Sequence, residues 1–200
     1  MKILKKAALM LVIALALPGA AQAQQMTAVE TAQLGVETLL RTVTESRDFF
    51  LSDRERYFAN VEAVLESFVD FEAVAEVVMS RFASQATAEQ KRRFADILSS
   101  TLTRFYGASL VSYEGEELVF LPPRNASDDP RADTIVGMEL RGGDSSMRLQ
   151  YQMFINENDE WKLKNISLAG INLGRQYFTQ FSALMSQYNN DIDLVLDNWK

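Results

Sequence analysis

The chain has 200 residues, 20 of them Lys or Arg against 27 Asp or Glu, with no histidine and no cysteine. A net charge of −7 argues against nucleic acid, whose binding rests on neutralising phosphates, and against adsorption to anionic membrane surfaces. Without cysteine there is no disulfide, and without either residue type zinc loses its usual sulfur and nitrogen ligands and acid–base chemistry loses imidazole.

The N-terminus reads MKILKK, then the apolar run Ala7 to Leu17, then Pro18-Gly19 and Ala21-Gln22-Ala23. A basic start, a short apolar stretch and a small-x-small site make a secretory signal peptide over residues 1–23. The apolar run reaches about 16 Å as a helix, roughly half the hydrocarbon thickness of a bilayer, which is too short for a retained anchor. Cleavage after Ala23 leaves residues 24–200 as a single domain exported to a Gram-negative periplasm. Losing Lys2, Lys5 and Lys6 takes the net charge from −7 to −10.

Helical spacing follows. Gln24 to Phe49 carries Val29, Leu34, Val36, Leu39, Leu40 and Val43 in an imperfectly amphipathic helix. A second helix begins near Ser52-Asp53 with Tyr57, Val61, Val64, Leu65 and Phe68. Asp70 is placed as an N-cap for a third, whose stripe is Phe71, Val74, Ala75, Val78, Met79 and Phe82. Thr87-x-x-Gln90 is a capping box ahead of a long helix bearing Phe94, Ile97, Leu98, Leu102, Phe105 and Leu110.

The pattern changes near Tyr113. Glu117 to Leu121 reads as a strand ended by Pro122-Pro123, and Asn125 to Asp133 as a polar loop. Thr134 to Arg141 and Ser145 to Ile155 read as a hairpin about Gly142-Gly143-Asp144. Alternation puts Val136, Met138 and Leu140 on one face, as it does Leu149, Tyr151 and Met153. Trp161 to Leu168 is the last strand; helix returns at Gln176 to Tyr188, with a short terminal segment from Ile192 to Trp199. Helices, then a meander, then helices again define an α+β fold: N-terminal helices on a twisted antiparallel sheet, NTF2-like, with a C-terminal helix.

Few residues invite chemistry. Asp70, Glu72, Asp96 and Glu114 are carboxylates fit for acid–base work, but Asp70 reads first as a cap and the others as solvated. Lys91-Arg92-Arg93-Phe94 and Arg104-Phe105-Tyr106 place bases and rings on different helix faces, which fits a charged flank over a core. Twelve Phe and eight Met suit a wall that accepts apolar ligands, although an apolar stripe is more often closed core.

Two stretches carry a resemblance. Val69-Asp70-Phe71, Ala86-Thr87-x-Glu89-Gln90 with Arg93-Phe94, and Tyr106, Leu110 and Tyr113 form the first. Tyr151, Trp161-Lys162-Leu163, Leu168 to Leu173 and Tyr177 to Phe181 form the second. Together they resemble the periplasmic MlaC (toluene-tolerance) family of phospholipid-binding proteins. Ser80 and Ala83 stand where that family usually has glycine and tryptophan, Asn172 where it has serine, and Phe178 where arginine is common.

The resemblance implies a periplasmic phospholipid carrier, not an enzyme, that shuttles lipid between outer and inner membranes and maintains outer-membrane lipid asymmetry. It implies a monomer without a cofactor or metal. Its partners would be an inner-membrane ABC transporter with an MCE-type ring and an outer-membrane lipoprotein complex. The alternatives are a carrier of hopanoid or another lipid, or a small NTF2-like hydrolase or isomerase. A purely structural adaptor of the transporter is a third reading. The lipid would lie between the sheet residues Val136, Met138, Leu140, Leu149, Tyr151 and Met153 and the helix residues Val74, Val78, Phe82, Leu98, Phe105 and Phe181. Leu168, Ile171 and Leu173 would continue the wall around the Gly170 corner.

Overall fold

The computed structural model describes residues 26–123, 129–142 and 145–200. The signal peptide read over residues 1–23, the start of the first helix at Gln24, residues 125–128 at the start of the polar loop and the hairpin tip at 143–144 lie outside the described residues.

Caps set where the helices begin. Helix α1 (Ala28–Ser46) starts after Thr27, whose hydroxyl accepts from the Glu30 N–H while the Glu30 carboxylate accepts from the Thr27 N–H. The predicted 24–49 helix therefore begins later, and it also breaks at Arg47 into a separate turn, α2 (Phe49–Ser52). Asp53 caps α3 (Arg54–Phe68) through the Arg56 N–H, and Asp70 caps α4 (Phe71–Met79) through the Ala73 N–H at 2.9 Å. The stripe predicted to run unbroken to Phe82 is interrupted at Ser80, where φ is 50° and ψ −119°, and a short 3-10 turn, Ser80–Phe82, follows. The Thr87–Gln90 capping box is formed and opens α5 (Ala88–Leu110).

The sheet is an antiparallel meander in the order β1 (Glu117–Leu121), β2 (Thr134–Gly142), β3 (Ser145–Ile155), β4 (Trp161–Leu168) and β5 (Ile171–Asn172). Val136 pairs with Tyr151, Met138 with Leu149 and Leu140 with Met147, so the predicted inward faces of β2 and β3 do meet. The β3–β4 pairing contains a bulge. Met153 pairs with Leu163 and Tyr151 with Ile166, so the inward set of β4 changes phase from Leu163 to Ile166 and Leu168. One extra residue in a strand has that effect, because side chains alternate with a period of two.

Helix α6 (Leu173–Gln187) starts three residues before Gln176, because Asn172 caps it through the Arg175 N–H at 2.9 Å. Helix α7 (Ile192–Asp197) closes the chain. Three apolar clusters hold these parts. One lies between α1, α3, α4 and the sheet, around Val36, Phe68, Met138, Tyr151 and Leu163. A second joins α4, α5, α6 and α7 around Phe94, Leu98, Phe181 and Trp199. The third, around Val43, Tyr57, Phe58 and Val61, sits under α2. Among the described residues no helix is long and apolar enough to cross a membrane.

Candidate functional site

The cluster against the sheet is not closed. A cavity of about 450 Å³ lies between the inward sheet face and α1, α3, α4, the C-terminal half of α5 and the start of α6. Its volume falls within the 300–1,000 Å³ typical of ligand pockets. The wall is aliphatic and aromatic almost throughout. Val36 and Leu40 come from α1, Leu65 and Phe68 from α3, Val74 and Val78 from α4, and Leu102, Tyr106 and Leu110 from α5. The sheet supplies Leu118, Met138, Leu140, Met147, Leu149, Tyr151, Leu163, Ile166 and Leu168.

Eight of the residues assigned to the wall from sequence are found on it: Val74, Val78, Met138, Leu140, Leu149, Tyr151, Leu168 and Leu173. The other seven are elsewhere. Val136 and Met153 are fully buried in the closed part of the same cluster. Phe82, Leu98 and Phe181 belong to the helical cluster under α6 and α7, where Phe181 packs 5.9 Å from Phe82 and 5.3 Å from Phe94. Phe105 is 67% exposed. The large α5 side chains on the wall are Leu102, Tyr106 and Leu110, four apart, and one residue's step around a helix carries Phe105 off that face. Ile171 is 58% exposed beyond the β4–β5 turn. Ala169 (φ 47°) and Gly170 (φ 85°) make that turn, the backbone that a two-residue hairpin requires. The corner is as tight as predicted, but it swings Ile171 outward.

The wall that sequence reasoning missed is mainly that of α1 and α3. Gly35 is the signal that was available. A Cβ there would lie 2.5 Å from Cγ of Phe68, so glycine allows the ring to lie directly on α1. A glycine in mid-helix marks close approach of this kind.

The polar atoms on the wall are few. The Tyr106 and Tyr177 hydroxyls are 3.4 Å apart, joining α5 to α6. Burial, and then the hydrogen bond with Tyr106, push the Tyr177 hydroxyl well above its ordinary range. Asn165 accepts from the Gly174 N–H at 3.0 Å and donates to Asn172 at 3.2 Å, fastening β4 to the start of α6. Burial alone raises Tyr151 strongly, and its hydroxyl reaches only Sδ of Met138, at 3.8 Å. A second, polar crevice of about 590 Å³ adjoins the cavity at Leu140 and Met147 and is bordered by Glu114, Glu116, Glu117 and Arg141.

Helices folded over one face of a five-stranded antiparallel meander, with an apolar chamber left between the layers, make an α+β domain shaped to enclose a greasy ligand. Residues 35–200 match the family model described as MlaC protein, and the chain belongs to the MlaC family. The toluene tolerance protein ttg2D of Pseudomonas putida is 29% identical over 176 residues, spanning 84% of this chain and 80% of that protein. A phospholipid-binding protein from Ralstonia solanacearum, solved in complex with a phospholipid, superposes with a TM-score of 0.76 at 26% identity. The superposition covers 86% of this chain and 94% of that one.

Proposed function

We propose that this protein is a periplasmic phospholipid carrier that encloses acyl chains in the cavity and shuttles lipid between the outer and inner membranes. The reading rests on one observation above others, the 450 Å³ chamber whose wall is apolar from α1 round to β4. Two sixteen-carbon chains exposed to water cost on the order of 25 kcal/mol at about 0.8 per methylene. The apolar chamber removes that cost for the length of chain it encloses, which brings transfer from bilayer to protein and back closer to balance. The likeness to a phospholipid-binding protein solved with phospholipid supports the choice of cargo.

Binding and release need no covalent step, and two of the carboxyl and amide groups have structural work: Asp70 caps α4, while Asn165 fastens α6. We therefore read the protein as a carrier and not an enzyme, serving outer-membrane lipid asymmetry. Its donor and acceptor would be an outer-membrane lipoprotein complex and an inner-membrane ABC transporter with an MCE-type ring. The basic, apolar and small-x-small pattern of residues 1–23 supports the periplasmic location. The test is to extract the purified protein with organic solvent, identify the lipid by mass spectrometry, and follow labelled phospholipid between donor and acceptor vesicles. Stoichiometric phospholipid returned unchanged is the expected result. Hopanoid in the extract would replace the cargo, and accumulation of lysolipid or free fatty acid would replace the carrier by a hydrolase.

A further inference from the structure

In an apolar chamber the informative atoms are the polar ones, and they can be accounted for one by one. Among the described residues of the wall, Tyr106 and Tyr177 share a contact, Tyr113 donates to the Glu116 carbonyl at 3.2 Å, and Asn165 is bonded through both ends of its amide. Ser109 is exposed and meets solvent. Tyr151 is the exception. It is 5% exposed, in the middle strand of the sheet between Val136 and Ile166, and its hydroxyl has no oxygen or nitrogen partner among the described residues. Its one neighbour, the thioether of Met138, is a weak acceptor. Leaving a buried hydroxyl so poorly bonded is unfavourable, and phenylalanine would pack the same space without that penalty.

We infer that the Tyr151 hydroxyl donates a hydrogen bond to an acyl-ester carbonyl of the bound lipid, so that the cavity selects ester-linked chains over ether-linked ones. The inference rests on the phospholipid reading above and deepens it. The chemistry narrows the acceptor. Hydrocarbon chains offer none. A phosphate oxygen would bring charge against Met138, Leu149 and Ile166, where desolvation is severe. Ester carbonyls are neutral, strong acceptors, and they sit at the junction of chain and head group, the first oxygens a lipid presents to a chamber that holds its chains. The raised phenol stays protonated, and so remains a donor, throughout the neutral range.

The experiment compares two lipids that differ only in their two ester carbonyls. Mature protein is incubated with vesicles of equimolar dipalmitoyl and di-O-hexadecyl phosphatidylglycerol, re-isolated, and its bound lipid quantified by mass spectrometry. One neutral hydrogen bond corresponds to an enrichment of the diester of about two- to twelvefold over the vesicle ratio. Tyr151→Phe, checked for folding by circular dichroism, should load the two lipids at the vesicle ratio. Wild type that takes both lipids at the vesicle ratio overturns the inference and leaves the carrier reading standing. Equal enrichment in wild type and Tyr151→Phe also overturns it, because another group then reads the ester. Wild type that loads neither lipid overturns the phospholipid reading and this inference together.

Discussion

Gly35→Ala separates an open chamber from a closed core. The added Cβ would meet Cγ, Cδ1 and Cδ2 of Phe68 at 2.5, 2.7 and 2.8 Å, whereas carbon atoms rest about 3.5–4.0 Å apart. The ring must retreat by roughly 1 Å to restore that spacing. In a packed core such an insertion costs about 1–3 kcal/mol. Alanine returns about 1 kcal/mol through its better helix propensity. Phe68 borders the cavity, so its ring has free space to retreat into. The expected net loss of stability is therefore small, about 0–2 kcal/mol, while the ring takes up volume needed by an acyl chain. Urea unfolding measures the first effect, and lipid per folded monomer, by extraction and mass spectrometry, measures the second. The expected result is a folded protein with markedly reduced lipid. A folded Gly35→Ala protein that retains full wild-type lipid would refute the argument that Phe68 forms the cavity wall.

The remaining expectations follow from other parts of the fold. Ser80→Gly should raise stability by about 1 kcal/mol, since φ 50° with ψ −119° strains any residue with a Cβ; an unchanged or lower urea midpoint would count against that strain. Leu140→Asp should lower lipid content with circular dichroism largely retained, because Leu140 lines the cavity beside the polar crevice. Met153→Arg should instead prevent folding, because Met153 is fully buried in closed core; matching phenotypes for the two variants would refute that distinction. Stability should also fall as pH rises above 10. The phenols of Tyr57, Tyr113, Tyr151 and Tyr177 are raised above their ordinary 10.0 by burial. The unfolded chain releases their protons first, so the folded state keeps its full advantage below that pH and loses it progressively above. Tyr151→Phe should flatten the alkaline decline, and a slope identical to wild type would exclude Tyr151 as a contributor.

Local signals made the element order legible. Asp70 and the Thr87–Gln90 box cap helices where the sequence placed them, and two-residue alternation put Met138, Leu140, Leu149 and Tyr151 on one face. These features depend on neighbours a few residues apart, which a sequence displays directly. The breaks were harder to see. Ser80 ends α4 inside an apolar stripe, and the β4 bulge changes phase at a point with no glycine or proline to announce it.

Apolar character by itself does not say which side of which helix is left unfilled. Leu98 and Leu102 lie on one stripe of α5, yet the first is fully buried in the helical cluster while the second faces the chamber. That difference arises because Phe181 of α6 and Trp199 beyond α7 pack on the N-terminal half of α5 at Phe94, a decision made by residues about 90 to 105 positions away. Likewise Gly35 and Phe68 become partners only when α1 and α3 lie side by side. The sequence by itself determined an acidic chain, the order of helices and strands, and the apolar faces they must bury. Only the tertiary structure decided where those faces close into core and where they stop short, because a cavity is the space left over among many elements and no single segment encodes it.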